Sequence, residues 1–205
     1  MPWRIRFWSD RMPTIIQSLA GRTVGITRPR ALSGSLAAAL QARGARVVFA
    51  PLIKTATPRS WRALDAALRG LCRYDAVVFA SANAVDAFFE RARAILRNRP
   101  AAPPIAAAVG PATAKALNGC GWKTSVVPED ARAEGLAAAL RLPKGARVLI
   151  PRAERGRDEL ARRLSEAGVI VTQATAYRTL CDHAGRRVLR HALCAGAQAV
   201  LFASP

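Results

Sequence analysis

The chain has 205 residues, with 32 Lys plus Arg against 13 Asp plus Glu, so its formal net charge is +19 at pH 7. At 51% hydrophobic and 22% charged it carries enough apolar residues for a sizeable core, which argues against a disordered polyelectrolyte. The longest uncharged runs, 101–114 and 192–205, fall short of the roughly 20 residues a membrane helix needs, and both contain proline. The cysteines Cys72, Cys120, Cys181 and Cys194 form no CxxC pair and have no histidine set nearby. That argues against structural zinc or a dense disulfide framework and fits a reducing cytosol.

In chain order, residues 1–21 stand apart. They mix arginine with large apolar residues in Trp3-Arg4-Ile5-Arg6-Phe7-Trp8, and the apolar stretch after Met12 is too short for a signal peptide. A disordered extension is expected there. From Thr23 onward, short Val/Ile-rich runs alternate with Ala/Leu/Arg segments of helical period, punctuated by Gly or Pro. The pattern predicts strands at 24–27, 47–49, 76–80, 105–109, 124–127, 148–150, 169–172 and 199–202. Helices are predicted at 35–43, 61–71, 85–96, 112–117, 133–140, 157–166 and 186–193. Strict strand–helix alternation is the mark of βα units and a parallel, doubly wound α/β sheet.

The sequence also repeats itself. A shift of 124 places Val24, Ile26, Arg28, Leu36, Leu40, Gly44 and Val47 on Val148, Ile150, Arg152, Leu160, Leu164, Gly168 and Val171. A shift of 123 then lays 76–81 on 199–204 with one conservative change. Two similar units are therefore expected. The second copy stops soon after Ser204 while the first runs on, so the repeat predicts that about 50 further residues would complete one unit. It also predicts that the 205-residue form is aggregation-prone and nearly inactive.

In a parallel sheet, ligands gather past the carboxyl ends of the strands, where helix N-termini present unpaired N–H groups. Four segments take that position: Thr27-Arg28-Pro29, Ser81-Ala82-Asn83, Gly110-Pro111-Ala112-Thr113 and Pro151-Arg152. Their hydroxyls, amides and guanidinia suit carboxylates or phosphates. Ser81 reads equally as an N-cap, Thr113 as a hydroxyl bonded back to its own helix, and Arg28 and Arg152 as ion-pair partners. No Walker A sequence, HExxH or GxSxG is present, and the only histidines are His183 and His191. Tyr177, in the extended run 172–179, is the best isolated candidate for proton transfer, with packing as the alternative.

The charge itself has two readings. Lys54, Lys115, Lys123 and Lys144 are the only lysines, and the arginines are spread without a dense block, with aromatics at 6%. A nucleic-acid binder clusters its basic residues among aromatics; a polyanionic small substrate accounts for the excess equally well.

The ordered series resembles the uroporphyrinogen-III synthase family. It comprises Thr27-Arg28-Pro29, Phe79-Ala80-Ser81-Ala82-Asn83-Ala84-Val85, Val109-Gly110-Pro111-Ala112-Thr113-Ala114, Gly156-Arg157-Asp158-Glu159-Leu160, Ala176-Tyr177-Arg178-Thr179 and Phe202-Ala203-Ser204-Pro205. The resemblance implies two flavodoxin-like parallel-sheet domains joined by a two-stranded connector. Domain one would hold 22–50 plus 180–205 and be truncated at the C-terminus; domain two would hold 57–172; the connectors would be 51–56 and 173–179. It also implies cofactor-free, cytoplasmic chemistry by a monomer that closes hydroxymethylbilane, a linear tetrapyrrole polycarboxylate, with inversion of ring D and loss of water. Tyr177 would assist departure of the hydroxyl from a connector facing an inter-domain cleft. Arg28, Ser81, Thr113, Arg152 and Ser204 would hold the carboxylates. No specific nucleic acid, membrane or metal is implied. The rivals are a basic α/β nucleic-acid-binding protein and a non-enzymatic two-domain ligand-binding protein.

Overall fold

The computed structural model describes residues 18–96, 98, 100–156 and 158–202. Most of the extension 1–21, and Ser204 entirely, lie outside the described residues. The first elements are β1 (Thr23–Ile26), α1 (Gly34–Ala42), β2 (Arg46–Phe49), β3 (Ile53–Ala56), α2 (Arg62–Arg69), β4 (Ala76–Phe79), α3 (Ala82–Ile95) and β5 (Ile105–Ala108). They are followed by α4 (Pro111–Gly119), α5 (Ala133–Leu140), β6 (Arg147–Ala153), α6 (Glu159–Glu166), β7 (Ile170–Cys181), α7 (His183–Cys194) and β8 (Ala199–Leu201). The chain is mixed α/β, and it divides into two compact units, Met1–Ile53 with Cys181–Pro205, and Lys54–Leu180.

The second unit holds a five-stranded sheet in the order β3-β7-β6-β4-β5. Strands β7, β6, β4 and β5 run parallel to their neighbours. A parallel sheet covered on both faces needs apolar residues in continuous runs, and β4, Ala-Val-Val-Phe, is buried throughout. Alternation then divides the runs between two cores. Val77, Phe79, Ala106 and Leu149 pack with Leu64 and Leu68 of α2, Phe88 and Phe89 of α3, and Trp122. Ala76, Val78, Ala107, Val148 and Ile150 pack on the other face with Leu136 and Leu140 of α5 and Leu160 and Leu164 of α6. The aromatic centre is tight: Trp122 meets Phe89 edge-on at 4.9 Å and Phe88 at 5.5 Å, and its indole N–H donates to the Pro100 carbonyl at 3.0 Å.

The first unit is a three-stranded parallel sheet, β2-β1-β8. The repeat predicted from sequence reappears in its register. Val24 lies opposite Val47 in one sheet, as Val148 lies opposite Val171 in the other. Ala199 lies opposite Val24, as Ala76 lies opposite Val148. The paired glycines Gly44 and Gly168 both take positive φ, +88° and +83°, at the turn after the helix, a conformation that favours glycine. Gly185 on α7 has a different reason to be glycine: a Cβ there would overlap the carbonyl oxygen of Pro51.

Three details depart from the sequence expectation. The strand expected at 124–127 is only an isolated bridge between Val126 and Ala107. The Asn118 side chain takes up the Thr124 N–H at 2.8 Å and its hydroxyl at 3.1 Å, turning the chain before a ladder can start. Pro151-Arg152 is part of β6 rather than the turn after it. The ladder with β4 ends at Leu149, so the strand is paired on one side beyond it, and proline is tolerated there. Residues 170–181 form one strand, with no break between 172 and 173, because β6 pairs along it as far as Tyr177. Residues 53–56, in a segment expected to be extended, form a strand at the sheet edge.

Candidate active site

A cleft of about 830 Å³ opens in the second unit at the carboxyl ends of β4 and β6, lined by Ser81, Arg132, Arg152, Arg155, Glu159 and Tyr177 among others. Tyr177 reaches it through an irregularity. Arg152 pairs with Thr175, but the next residue, Ala153, pairs with Tyr177, so β7 carries one extra residue at Ala176. Such a bulge re-aims the side chain that follows it. The backbone is fixed at that point, the Glu154 N–H donating to the Tyr177 carbonyl at 2.8 Å.

The Tyr177 hydroxyl lies 3.2 Å from Ser81 Oγ. Ser81 is the N-cap of α3, and its Oγ accepts the Ala84 N–H at 3.2 Å. Both sequence readings of Ser81 are therefore compatible with one position: the oxygen that closes the helix start also touches the phenol. With one lone pair engaged by the Ala84 N–H, the serine hydroxyl can still donate to or accept from Tyr177.

The charges around the cleft differ in how they are engaged. Arg152 is nearly enclosed: its Nη1 bonds the Asp158 carboxylate and the Gln173 side chain, Nη2 donates to the Gly156 carbonyl at 2.7 Å and Nε to the Ala153 carbonyl at 3.2 Å. Glu159 accepts from Arg162 at 2.6 Å and from Arg163 at 2.5 Å. Those bonds hold its carboxyl below the usual carboxylate range, so Glu159 is an anion rather than a proton donor at neutral pH. Arg132 has only a loose ion pair with Asp130, 3.5 Å apart. Arg155 is exposed, with no acidic partner among the described residues. Among the described lining residues these two are the cations left for an anionic ligand; neither was singled out from sequence, where the charge-rich run from Glu154 to Glu159 could have pointed to Arg155.

A second hollow of about 530 Å³ shares Tyr177 but is lined by Asp86 and Glu90. Its arginine, Arg91, is committed to Asp65 through two bonds of 2.6 and 2.7 Å and lies 4.8 Å over the Trp61 ring. Asp86 and Glu90 have no ion pair among the described residues, whereas Glu159 of the cleft is paired with Arg162 and Arg163, so the second hollow disfavours a polyanion. Of the six residues singled out from sequence, the cleft brings together Ser81, Arg152 and Tyr177. Thr113 is buried in the first turn of α4 and does not line it. Arg28 is an exposed residue of the first unit, just past β1.

The sequence profile of the family described as uroporphyrinogen-III synthase HemD matches residues 34–205. A uroporphyrinogen-III synthase of Synechococcus elongatus is 36% identical over 167 residues, which cover 80% of this chain and 63% of that relative. The chain thus spans less than two thirds of that curated relative's length. Among solved structures, a mutant uroporphyrinogen III synthase of Thermus thermophilus superposes with a TM-score of 0.62 at 22% identity, covering 90% of this chain and 73% of the other. The wild-type form superposes with a TM-score of 0.54 at 22% identity, covering 89% and 72%. These two likenesses bear on fold alone. With the family profile running from α1 to the end of the sequence, the chain belongs to the uroporphyrinogen-III synthase family.

Proposed function

We propose that this protein is a cofactor-free uroporphyrinogen-III synthase that converts hydroxymethylbilane to uroporphyrinogen III with inversion of ring D and loss of one water. The observation that carries the reading is the Tyr177 phenol, hydrogen-bonded at 3.2 Å to the capping serine of α3, in a cleft with Arg155 and Arg132 at its rim. An acid, a helix N-terminus and spare cations in one concave site suit a polycarboxylate that must lose a hydroxyl.

Tyr177 donates its proton to the leaving hydroxyl as the methylene C–O bond breaks, releasing water and an azafulvene cation. The substituted carbon of ring D attacks that methylene to give a spiro-pyrrolenine. Fragmentation and re-closure at the other α-carbon give the type III isomer, and the final deprotonation that restores the pyrrole returns a proton to the phenolate. Unassisted, the chain closes directly to the type I isomer, so holding the substrate's carboxylates in place is the larger part of the task. Arg155 and Arg132 supply cations at the rim, Ser81 orients the acid, and Arg28, Thr113 and Ser204 remain proposed carboxylate contacts.

The same reading carries two flavodoxin-like domains, about 22–50 with 180–205 and 57–172, joined by strands at 51–56 and 173–179. It also carries a cytoplasmic monomer that needs no nucleic acid. Formation of type III over type I product from hydroxymethylbilane is the test, because a protein that only binds the bilane leaves the type I outcome unchanged.

A further inference from the structure

Arg152 stands where a substrate cation is expected, yet it is the most completely engaged arginine around the cleft. Four of the five guanidinium N–H donors are committed, to Asp158, Gln173, Gly156 and Ala153, and the side chain is 19% exposed. Its partners come from three places. Ala153 and Gly156 are at the end of β6 and in the turn beyond it, Asp158 is the N-cap of α6, and Gln173 is on β7. Of the residues they enclose, Arg155 and Gly156 line the cleft. Glu154 is held by its N–H bond to the Tyr177 carbonyl and a 3.5 Å ion pair with Arg59; beyond it Arg155, Gly156 and Asp158 are exposed, and the Asp158 side chain makes no capping bond to its own helix.

We propose that Arg152 is a positioning residue: it latches the lip formed by Arg155 and Gly156 to β7, and so fixes Arg155 as the cation that meets a substrate carboxylate. This rests on the function proposed above for the identity of the substrate. A planar fork with donors in fixed directions can tie a carbonyl, a carboxylate and a carboxamide together; an ammonium is a point charge and cannot. The repeat shows the same device in another form. Position 49 is the counterpart of Gln173, and there the Phe49 ring takes the Arg30 guanidinium at 4.5 Å, an arginine from just beyond β1 tied to the neighbouring strand as Arg152, within β6, is tied to β7.

The latch and a direct carboxylate contact differ in what lysine does. In the full chain, Arg152→Lys keeps the charge and loses the fork, so under the latch it behaves like Arg152→Gln. Both raise the KM for hydroxymethylbilane about three- to tenfold with kcat nearly unchanged, the size expected for one exposed ion pair. Arg155→Gln does the same, and the Arg152→Gln/Arg155→Gln double variant is no worse than Arg155→Gln alone, because both act through one contact. Gln173→Leu guards against a variant that fails to fold. Gln173 is exposed and does not line the cleft, so a rise in KM there has to travel through Arg152.

A substrate-free readout separates the latch from the activity. Trypsin cleavage within 153–158, mapped by mass, should accelerate several-fold in Arg152→Lys and Gln173→Leu relative to wild type, with other sites unchanged. If wild type makes no type III product, the functional reading falls and the cleavage pattern still decides the latch. The latch is overturned if Arg152→Lys matches wild type in KM and cleavage, or if Gln173→Leu changes neither.

Discussion

At the scale of single residues, the candidate site turns on one oxygen contact, Ser81 Oγ to the Tyr177 hydroxyl. Replacing Tyr177 with Phe leaves packing almost intact and removes the donor. We expect type III formation to slow by about 10²-fold, at the low end for a general acid because positioning carries much of the rate. An unchanged rate of type III formation would reduce Tyr177 to a packing residue. Ser81→Ala should cost about 1 kcal/mol of stability through the lost helix cap, seen as a lower melting midpoint, and should also slow turnover; a stability loss with no change in rate would leave the serine as a cap only. Sequence reading reached Ser81 and Tyr177 because each sits at a strand end or in an extended run. The bulge at Ala176 that brings them together was not legible, since an extra residue in a ladder has no composition of its own. Nor were the partners of Arg152, because Gln173 and Asp158 meet it only through folding.

Elements are tied by a few strong contacts. Asp65 on α2 and Arg91 on α3 form a two-pronged pair beside Trp61. The Arg91 hydrogen bonds, opposed in part by burial, hold the Asp65 carboxyl below its ordinary value. A carboxyl whose pKa is depressed by folding adds stability above its unfolded value of about 4, and that stability is lost as pH falls through the folded value. Asp65→Asn should therefore unfold more easily than wild type at pH 7, and denaturant midpoints of the two should converge as pH drops below about 4. A constant gap down to the lowest pH would mean the pair does not act through charge. Gly185→Ala has no such pH dependence. Its methyl has to displace the Pro51 carbonyl, so α7 must shift, and overpacking of this kind costs about 1–3 kcal/mol. A variant as stable as wild type would place α7 further from Pro51. The helices and central strands were legible from period and turn residues. The strand expected at 124–127 failed because its Val-rich pattern carries no sign of the Asn118 side chain that captures Thr124.

For the whole molecule, the two units differ sharply in what they bury. Both hydrophobic clusters lie within the second unit. In the first, the buried apolar residues among those described are Val24, Ile26, Ala37, Ala45, Ala50 and Ala192, while Leu32, Leu36, Val188, Leu193 and Phe202 are exposed. Regions with few buried apolar contacts open at lower free energy. Limited proteolysis should thus leave a resistant fragment near 54–180, and early loss of that fragment instead would contradict the comparison. The repeat that set this organisation was readable because register-determining residues recur at one offset, while the unequal burial of the two units was not readable, being a property of three-dimensional neighbours. The +19 charge belongs to the same scale. Duplex DNA should be retained only weakly and without sequence preference, with binding gone near physiological ionic strength, and tight binding to one sequence at that salt would move the nucleic-acid reading ahead. The most direct test of the central claim is the isomer made under single-turnover conditions. Protein in excess is mixed with hydroxymethylbilane, and the oxidised porphyrins are separated into types I and III. Mainly type III is expected, falling towards type I in Tyr177→Phe as direct closure competes; type I alone, formed at the rate seen in buffer, would contradict the proposed function.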